Sequence, residues 1–441
     1  MGERRAAATL QQEATANPQG VEGRGRSRRL GPRPLPLHLS TALATWNSSY
    51  AALPSWKSGL LPLNPGRANP ALAQSAERLR TEVASVDHEA FSEALARVVR
   101  QRHVALLDGI AAYRHHPYVR DVEDPSAVWR EGTTLLRDYG ELLPPERQAS
   151  APVVLIVPSL INRAYILDLK SGQSLLRYMV EQGLRPLLVD WESPGEEERG
   201  FDSTAYIAGR LEAALEAACE IAGGPVPVLG YCMGGTLAVA LAHRRKRDVS
   251  ALALLAAPWD FHAVGGTQAR LYGAIAQSLE PMMQTMGQLP VDAIQMLFSG
   301  LDPHTSVRKF LAFGRLDTTS TRAEAFVALE DWLNDGVPLA APMARECLYG
   351  WYGANVTAAG QWRVAGRAVD PVQIKVPALC IVPQKDRIVP PESASALGGL
   401  LPNAEVMSPP LGHIGMIVGG RAKQLAWEPL LDWLKARLGT R

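Results

Sequence analysis

Cysteine is scarce in this chain: there are four in 441 residues, at positions 219, 232, 347 and 380, and no two form a C-x-x-C pair. Such spacing excludes a zinc ribbon, offers no disulfide framework and suits a chain working in the reducing cytoplasm. An excess of charge is also missing. With 45 Lys and Arg against 44 Asp and Glu, a formal net charge of +1, no global field draws nucleic acid or an anionic membrane surface. No apolar run reaches the ~18 residues that a bilayer crossing needs, so no transmembrane segment is expected. Neither a glycine-rich phosphate loop nor a set of His, Cys, Asp and Glu at ligand spacing occurs, so no resident cofactor and no metal are expected. Internal repeats are absent. What remains is a chain with 47% apolar residues, long enough for one large domain with an appendage or for two to three small ones.

Residues 1–36 are rich in Arg, Gln, Gly, Ala and Pro and poor in large apolar side chains, so they are expected to be disordered. Ser27-Arg-Arg-Leu30 followed by Leu35 to Ala44 faintly resembles a twin-arginine export signal, but its apolar part is short, is broken by Pro34 and Pro36 and holds His38. Residues 37–124 read as a helical N-terminal region. Trp46, Tyr50, Leu53, Trp56, Leu60 and Leu61 recur at loosely helical spacing, which predicts a helix packed on the catalytic domain; a surface for a lipid-like or polymer phase is the sharper alternative. A further helix is predicted over 72–113, with Leu79, Val83, Phe91, Leu95 and Leu106 among its apolar positions. His115 and His116, beside Pro117, have no partner ligands at useful spacing and read as loop histidines.

From residue 125 to 441 strand and helix patterns alternate. After a hairpin-like pair at Val128–Glu131 and Thr133–Asp138 comes Ala151 to Val157, a continuous apolar run of the kind a central strand needs when both its faces are covered. Strands at Arg185–Asp190, Val226–Leu229, Ser250–Ala256 and Val376–Val382 are separated by helical stretches, the spacing of βαβ units in a mostly parallel sheet. The alternation lapses over about 262–370, a mainly helical insertion that predicts a cap over the active site. Its Met282, Met283, Met286 and Met296 suit either an adaptable apolar pocket or ordinary helical core.

The stretch Gly230-Tyr-Cys-Met-Gly-Gly235, between an apolar run and an alanine-rich helix, has the pattern of a nucleophile elbow with cysteine at its tip. Asp386 follows a later strand, His413 follows another, and the order Cys, Asp, His is that of an elbow hydrolase. The predicted triad is therefore Cys232, His413 and Asp386: the imidazole takes the thiol proton, the carboxylate fixes its tautomer, and the positive end of the following helix favours the thiolate. The backbone N–H of Met233, together with one near Ser159 or Leu160 in the loop after Val157, is expected to meet the acyl oxyanion.

These motifs resemble the polyhydroxyalkanoate synthases. Gly230 to Gly235 looks like their lipase-like box with cysteine in place of serine; Val157 to Leu169, Asp190-Trp191, Ala257-Pro-Trp-Asp-Phe261 and Gly412-His-Ile-Gly415 have counterparts there, and the resemblance runs over roughly residues 125–438. Arg387 stands where the family usually has His, and the Ala257 and His413 motifs look more like the short, partner-dependent synthases. The resemblance implies an α/β-hydrolase fold and an acyltransferase that moves 3-hydroxyacyl groups from CoA thioesters, its substrates rather than cofactors, to a growing polyester through Cys232, with Asp386 helping to activate the incoming hydroxyl. It also implies a cytoplasmic protein at the polymer granule surface, with a homodimer or an accessory synthase subunit as partner. Two other readings fit the same residues: an ester or thioester hydrolase with a cysteine nucleophile, and a catalytically silent binding protein.

Overall fold

In the computed structural model, which describes residues 29–57 and 70–438, eight strands form one sheet: β1 (Ala127–Glu131), β2 (Thr134–Asp138), β3 (Val153–Val157), β4 (Arg185–Asp190), β5 (Val226–Tyr231), β6 (Val249–Leu255), β7 (Ala378–Ile381) and β8 (Ala404–Met407). Their order across the sheet is β1-β2-β4-β3-β5-β6-β7-β8. The neighbours from β4 to β8 run parallel, whereas β2 pairs antiparallel with both β1 and β4. Every residue of β3 and β5 is buried, as continuous apolar runs require when helices cover both faces. One face packs Leu155, Val157, Val228 and Leu252 against Leu237 and Trp351; the other packs Val154, Ile156 and Leu229 against Leu175, Leu430 and Trp433. Register places Val228 of β5 beside Leu155 of β3 and Leu252 of β6, so the elbow strand lies at the centre of the sheet.

The N-terminal region forms three helices, α1 (Leu35–Lys57), α2 (Pro70–Ala84) and α3 (His88–His115). The expected single helix over 72–113 is thus two, because Asp87 caps a new start: its carboxylate accepts the Ala90 N–H at 2.9 Å. α4 (Met233–Arg244) follows the elbow. Between β6 and β7 lie α5 (Thr267–Met286), α6 (Val291–Ser299), α7 (Thr305–Phe313) and α8 (Thr321–Asn334). A third apolar cluster joins Trp46, Leu106 and Tyr113 to Phe310, Phe313 and Val327, so α1 and α3 rest on the cap helices and not on the sheet. Trp46 is 8% exposed, its ring 4.8 Å from that of His103, as a packing helix demands and a lipid-facing stripe does not; the side chain of Trp56 and residues Leu60 and Leu61 lie outside the described residues.

Of the segment expected to be disordered, residues 1–28 lie outside the described residues, while Arg29 to Pro36 are held. Arg29 reaches Asp331 at 2.7 Å and the main-chain oxygens of His116 and Tyr118. Arg33 pairs with Asp292 at 2.9 Å, and Arg114 donates to the carbonyls of Leu30 and Gly31 at 2.9 Å each. Composition suggested disorder because the partners of these residues lie up to about three hundred positions away in sequence. Of the two expected loop histidines, His115 ends α3, while His116 does lie in the following loop, buried with Nε2 2.7 Å from the Thr318 carbonyl. Among the described residues no cluster of His, Cys, Asp and Glu could hold a metal, and no helix is long and apolar enough to cross a membrane.

Candidate active site

The elbow follows from its glycines. A β-carbon on Gly230 would stand 2.5 Å from the Gly235 Cα, one on Gly234 2.1 Å from the Val157 carbonyl oxygen, and one on Gly235 2.4 Å from the Ala257 side chain. Only glycine lets α4 start this close to β3 and β5. Cys232, between strand and helix, is forced to φ 56° and ψ −130°, a strained conformation of the sort that is held where surrounding structure over-determines it. Its N–H is anchored on the Leu255 carbonyl at 2.9 Å.

The structure brings the three expected residues together. His413 Nδ1 lies 2.7 Å from Asp386 Oδ2. The other carboxylate oxygen, Oδ1, accepts the N–H groups of Ile388 and Val389 at 2.8 and 2.9 Å, so the loop after β7 clamps Asp386 in one orientation. Both residues are buried, while Cys232 is half-buried and within hydrogen-bonding reach of His413. The Tyr231 ring packs 5.2 Å from the imidazole, and its hydroxyl donates to the His413 carbonyl at 3.4 Å. Burial alone lowers the His413 pKa, but the negative charge of the Cys232 sulfur and the bonds to Asp386 and Cys232 outweigh it and raise the value to about 10. At neutral pH the imidazole therefore holds a proton beside the Cys232 sulfur.

Met233 begins α4, and Leu160 lies in the loop after β3 that α4 closely approaches. Among the described turn and loop hydrogen bonds, no carbonyl takes up the N–H of either residue. The loop is fixed from outside: the Trp191 indole donates to the Pro158 carbonyl at 3.0 Å and the Trp332 indole to the Arg163 carbonyl at 2.8 Å.

Cys232 opens into a cavity of about 140 Å³ whose walls include Ile161 and Met233 on the sheet side and Tyr272, Leu297, Phe298, Leu348, Trp351 and Tyr352 from the cap. The cap methionines are not among them. Met283 is buried with Ala276 and Leu279 on α5, whereas Met282, Met286 and Met296 are 40–46% exposed. The adaptable methionine pocket is replaced by a stiffer aromatic one. Sequence reasoning also missed Asp260, Tyr272 and Tyr352 as lining groups, since none sits in a motif that the elbow chemistry requires. Arg163 pairs with Glu192 and Asp335 at 2.6 and 3.2 Å, and Arg387 reaches Asp302 of the cap at 3.3 Å.

A family model for the alpha/beta hydrolase fold matches residues 152–420. The chain is 30% identical over 317 residues to the poly(3-hydroxyalkanoate) polymerase subunit PhaC of Haloferax mediterranei, covering 71% of this chain but 64% of that protein's length. It is also 30% identical over 320 residues to the PhaC subunit of Synechocystis, with 70% and 84% covered, and 28% identical to that of Allochromatium vinosum, with 72% and 89% covered. With the sheet order, the elbow and the buried His–Asp pair in place, these likenesses assign the chain to the alpha/beta hydrolase fold and, within it, to the poly(3-hydroxyalkanoate) polymerase PhaC family.

Proposed function

We propose that this chain is a polyhydroxyalkanoate synthase, transferring 3-hydroxyacyl groups from CoA thioesters to a growing polyester by way of a Cys232 thioester. The observation that carries the reading is a cysteine elbow beside a buried, hydrogen-bonded His413–Asp386 pair at an apolar cavity, in a chain of the PhaC family. The Cys232 thiolate adds to the thioester carbonyl, and the oxyanion takes hydrogen bonds from the backbone N–H groups of Met233 and Leu160. Collapse breaks the bond to the CoA sulfur, which leaves with the proton held by His413. An incoming 3-hydroxyl then attacks the Cys232 thioester, His413 accepts its proton with Asp386 stabilising the imidazolium, and the thiolate is restored. CoA enters as part of the substrate, so the cycle calls on no resident cofactor.

The predominantly apolar walls favour a hydroxyl carried on an acyl chain over water, because they accommodate the chain and present few groups to orient a water. Action at a polymer granule in the cytoplasm, as a homodimer or with an accessory synthase subunit, completes the proposal. The test is incubation of the purified protein with 3-hydroxybutyryl-CoA beside Cys232→Ala. CoA release with insoluble polyester, absent from the variant, is expected. Release with only free 3-hydroxybutyrate would make the protein a thioesterase and overturn the reading.

A further inference from the structure

The cavity is apolar, yet four oxygen-bearing side chains line it: Asp260, Tyr272, Tyr352 and Ser393. Three are engaged. The Tyr272 hydroxyl donates to the Leu297 carbonyl at 3.2 Å, and Ser393 Oγ accepts the Trp259 N–H at 3.4 Å. Asp260 Oδ1 accepts from the His262 N–H at 2.9 Å and the Asn355 amide at 2.8 Å. Among the described residues the Tyr352 hydroxyl has no hydrogen-bond partner.

Its ring, by contrast, is fixed. Phe261 stands edge-on to it with centroids 4.8 Å apart, Tyr272 does the same at 5.2 Å, and His262 Nε2 holds the Tyr352 carbonyl at 2.8 Å. Burial first, then the neighbouring Tyr272 and Cys232, push the Tyr352 pKa well above the ordinary tyrosine range, so the hydroxyl keeps its proton and remains a donor. The side chain is half-buried and lines the cavity, and a rigid donor without a protein partner at a reaction cavity marks where a substrate acceptor belongs.

We propose that Tyr352 is a substrate-positioning and specificity-determining residue whose hydroxyl donates a hydrogen bond to the 3-oxygen of the acyl group entering or carried on Cys232. The assignment rests on the synthase reading. A carboxylate such as Asp260 cannot serve an ester oxygen, which only accepts; a hydroxyl donor serves the 3-oxygen both as a free alcohol and, once polymerised, as an ester. The bond gives the cavity a reason to prefer 3-hydroxyacyl over plain acyl chains, because a site built to pair a substrate oxygen discriminates against the analogue that lacks it.

The test compares first-turnover CoA release from 3-hydroxybutyryl-CoA and butyryl-CoA in the full chain and in Tyr352→Phe. The variant is expected to lose about 10-fold in rate on the hydroxylated substrate, chiefly through KM, and to stay within about 2-fold of the parent on butyryl-CoA. Equal losses on both substrates, or no loss on either, would overturn the assignment while leaving the synthase reading intact. Calorimetric binding of the two thioesters to Cys232→Ala and to Cys232→Ala with Tyr352→Phe reads the same preference without turnover; a preference for 3-hydroxybutyryl-CoA that survives loss of the hydroxyl also overturns it. Failure of the parent to release CoA from either thioester would instead bring down the synthase reading, and this assignment with it.

Discussion

Gly234→Ala probes the elbow most directly. The added β-carbon would stand 2.1 Å from the Val157 carbonyl oxygen and 2.5 Å from that of Pro158, where real contacts stop near 3.0 Å. Neither neighbour is a flexible side-chain tip: both are backbone, and the Pro158 carbonyl is also tied to the Trp191 indole. Relief requires α4 to back away from β3 by about 0.9 Å, the gap between 2.1 and 3.0 Å. Cys232 and the Met233 N–H sit at the moving end of α4, and a displacement near 1 Å from reactive geometry costs about 10²-fold in rate. Overpacking of this kind costs about 1–3 kcal/mol, a drop of roughly 2–6 °C in melting midpoint. First-turnover CoA release from 3-hydroxybutyryl-CoA, quantified by chromatography beside a near-ultraviolet circular dichroism melt, reads both effects. Gly399→Ala is the control: it is an exposed helical position with nothing within 4 Å of a β-carbon, where alanine is expected to stabilise by about 0.5–1 kcal/mol. Parental rates in Gly234→Ala would refute the steric account of the elbow.

Cys232→Ser should lose at least about 10²-fold in CoA release at an unchanged melting midpoint, since a hydroxyl does not ionise beside an imidazolium; retention of more than a tenth of the rate would show that thiolate character is dispensable. The pH dependence follows from His413. Its value of about 10 lies above the ordinary 6.5, so its partners stabilise the fold fully below about pH 6.5 and that contribution fades as pH rises through 10. CoA release should fall over the same alkaline range as the proton for the leaving thiol is lost, and Asp386→Asn should move the midpoint of that fall to lower pH; a profile flat to pH 11 in the parent would contradict the assignment. Arg29→Ala strips the Asp331 carboxylate and two main-chain oxygens of their shared donor and is expected to destabilise by about 1–3 kcal/mol without changing the rate per folded molecule, read by denaturant unfolding and active-site titration.

The legible parts of this molecule are those fixed by local rules. The elbow needs three glycines within six residues, and they are there to be read. Strands buried on both faces announce themselves as unbroken apolar runs, and β3, β4, β5 and β6 lie within a few residues of the expected positions. Asp386 and His413 were found by order along the chain, a constraint of topology and not of pattern. The break at Asp87 was also readable, through its capping chemistry, but helical periodicity on either side masked it. The attachment of Arg29 to Asp331 and of Arg33 to Asp292 had no local signal at all.

The same division runs through the site itself. Its reactive half is written in short motifs, whereas its selective half, the cavity, is assembled from α5, α6 and the π-helical segment Glu346–Gly353 by long-range packing. Asn355 joins the halves: its amide reaches Asp260 at 2.8 Å and its oxygen takes the Phe261 N–H at 3.0 Å, from a left-handed backbone with φ 52° that asparagine tolerates well. Through Phe261 this tie also sets the Tyr352 ring against the cavity. On the proposed reading, the elbow is the part that carries the Cys232 thioester. What that thioester meets next depends on the cap walls and on the hydroxyl they present, so the distinction between polymerase and hydrolase lies in the cap, the part of the chain whose packing its own periodicity left open.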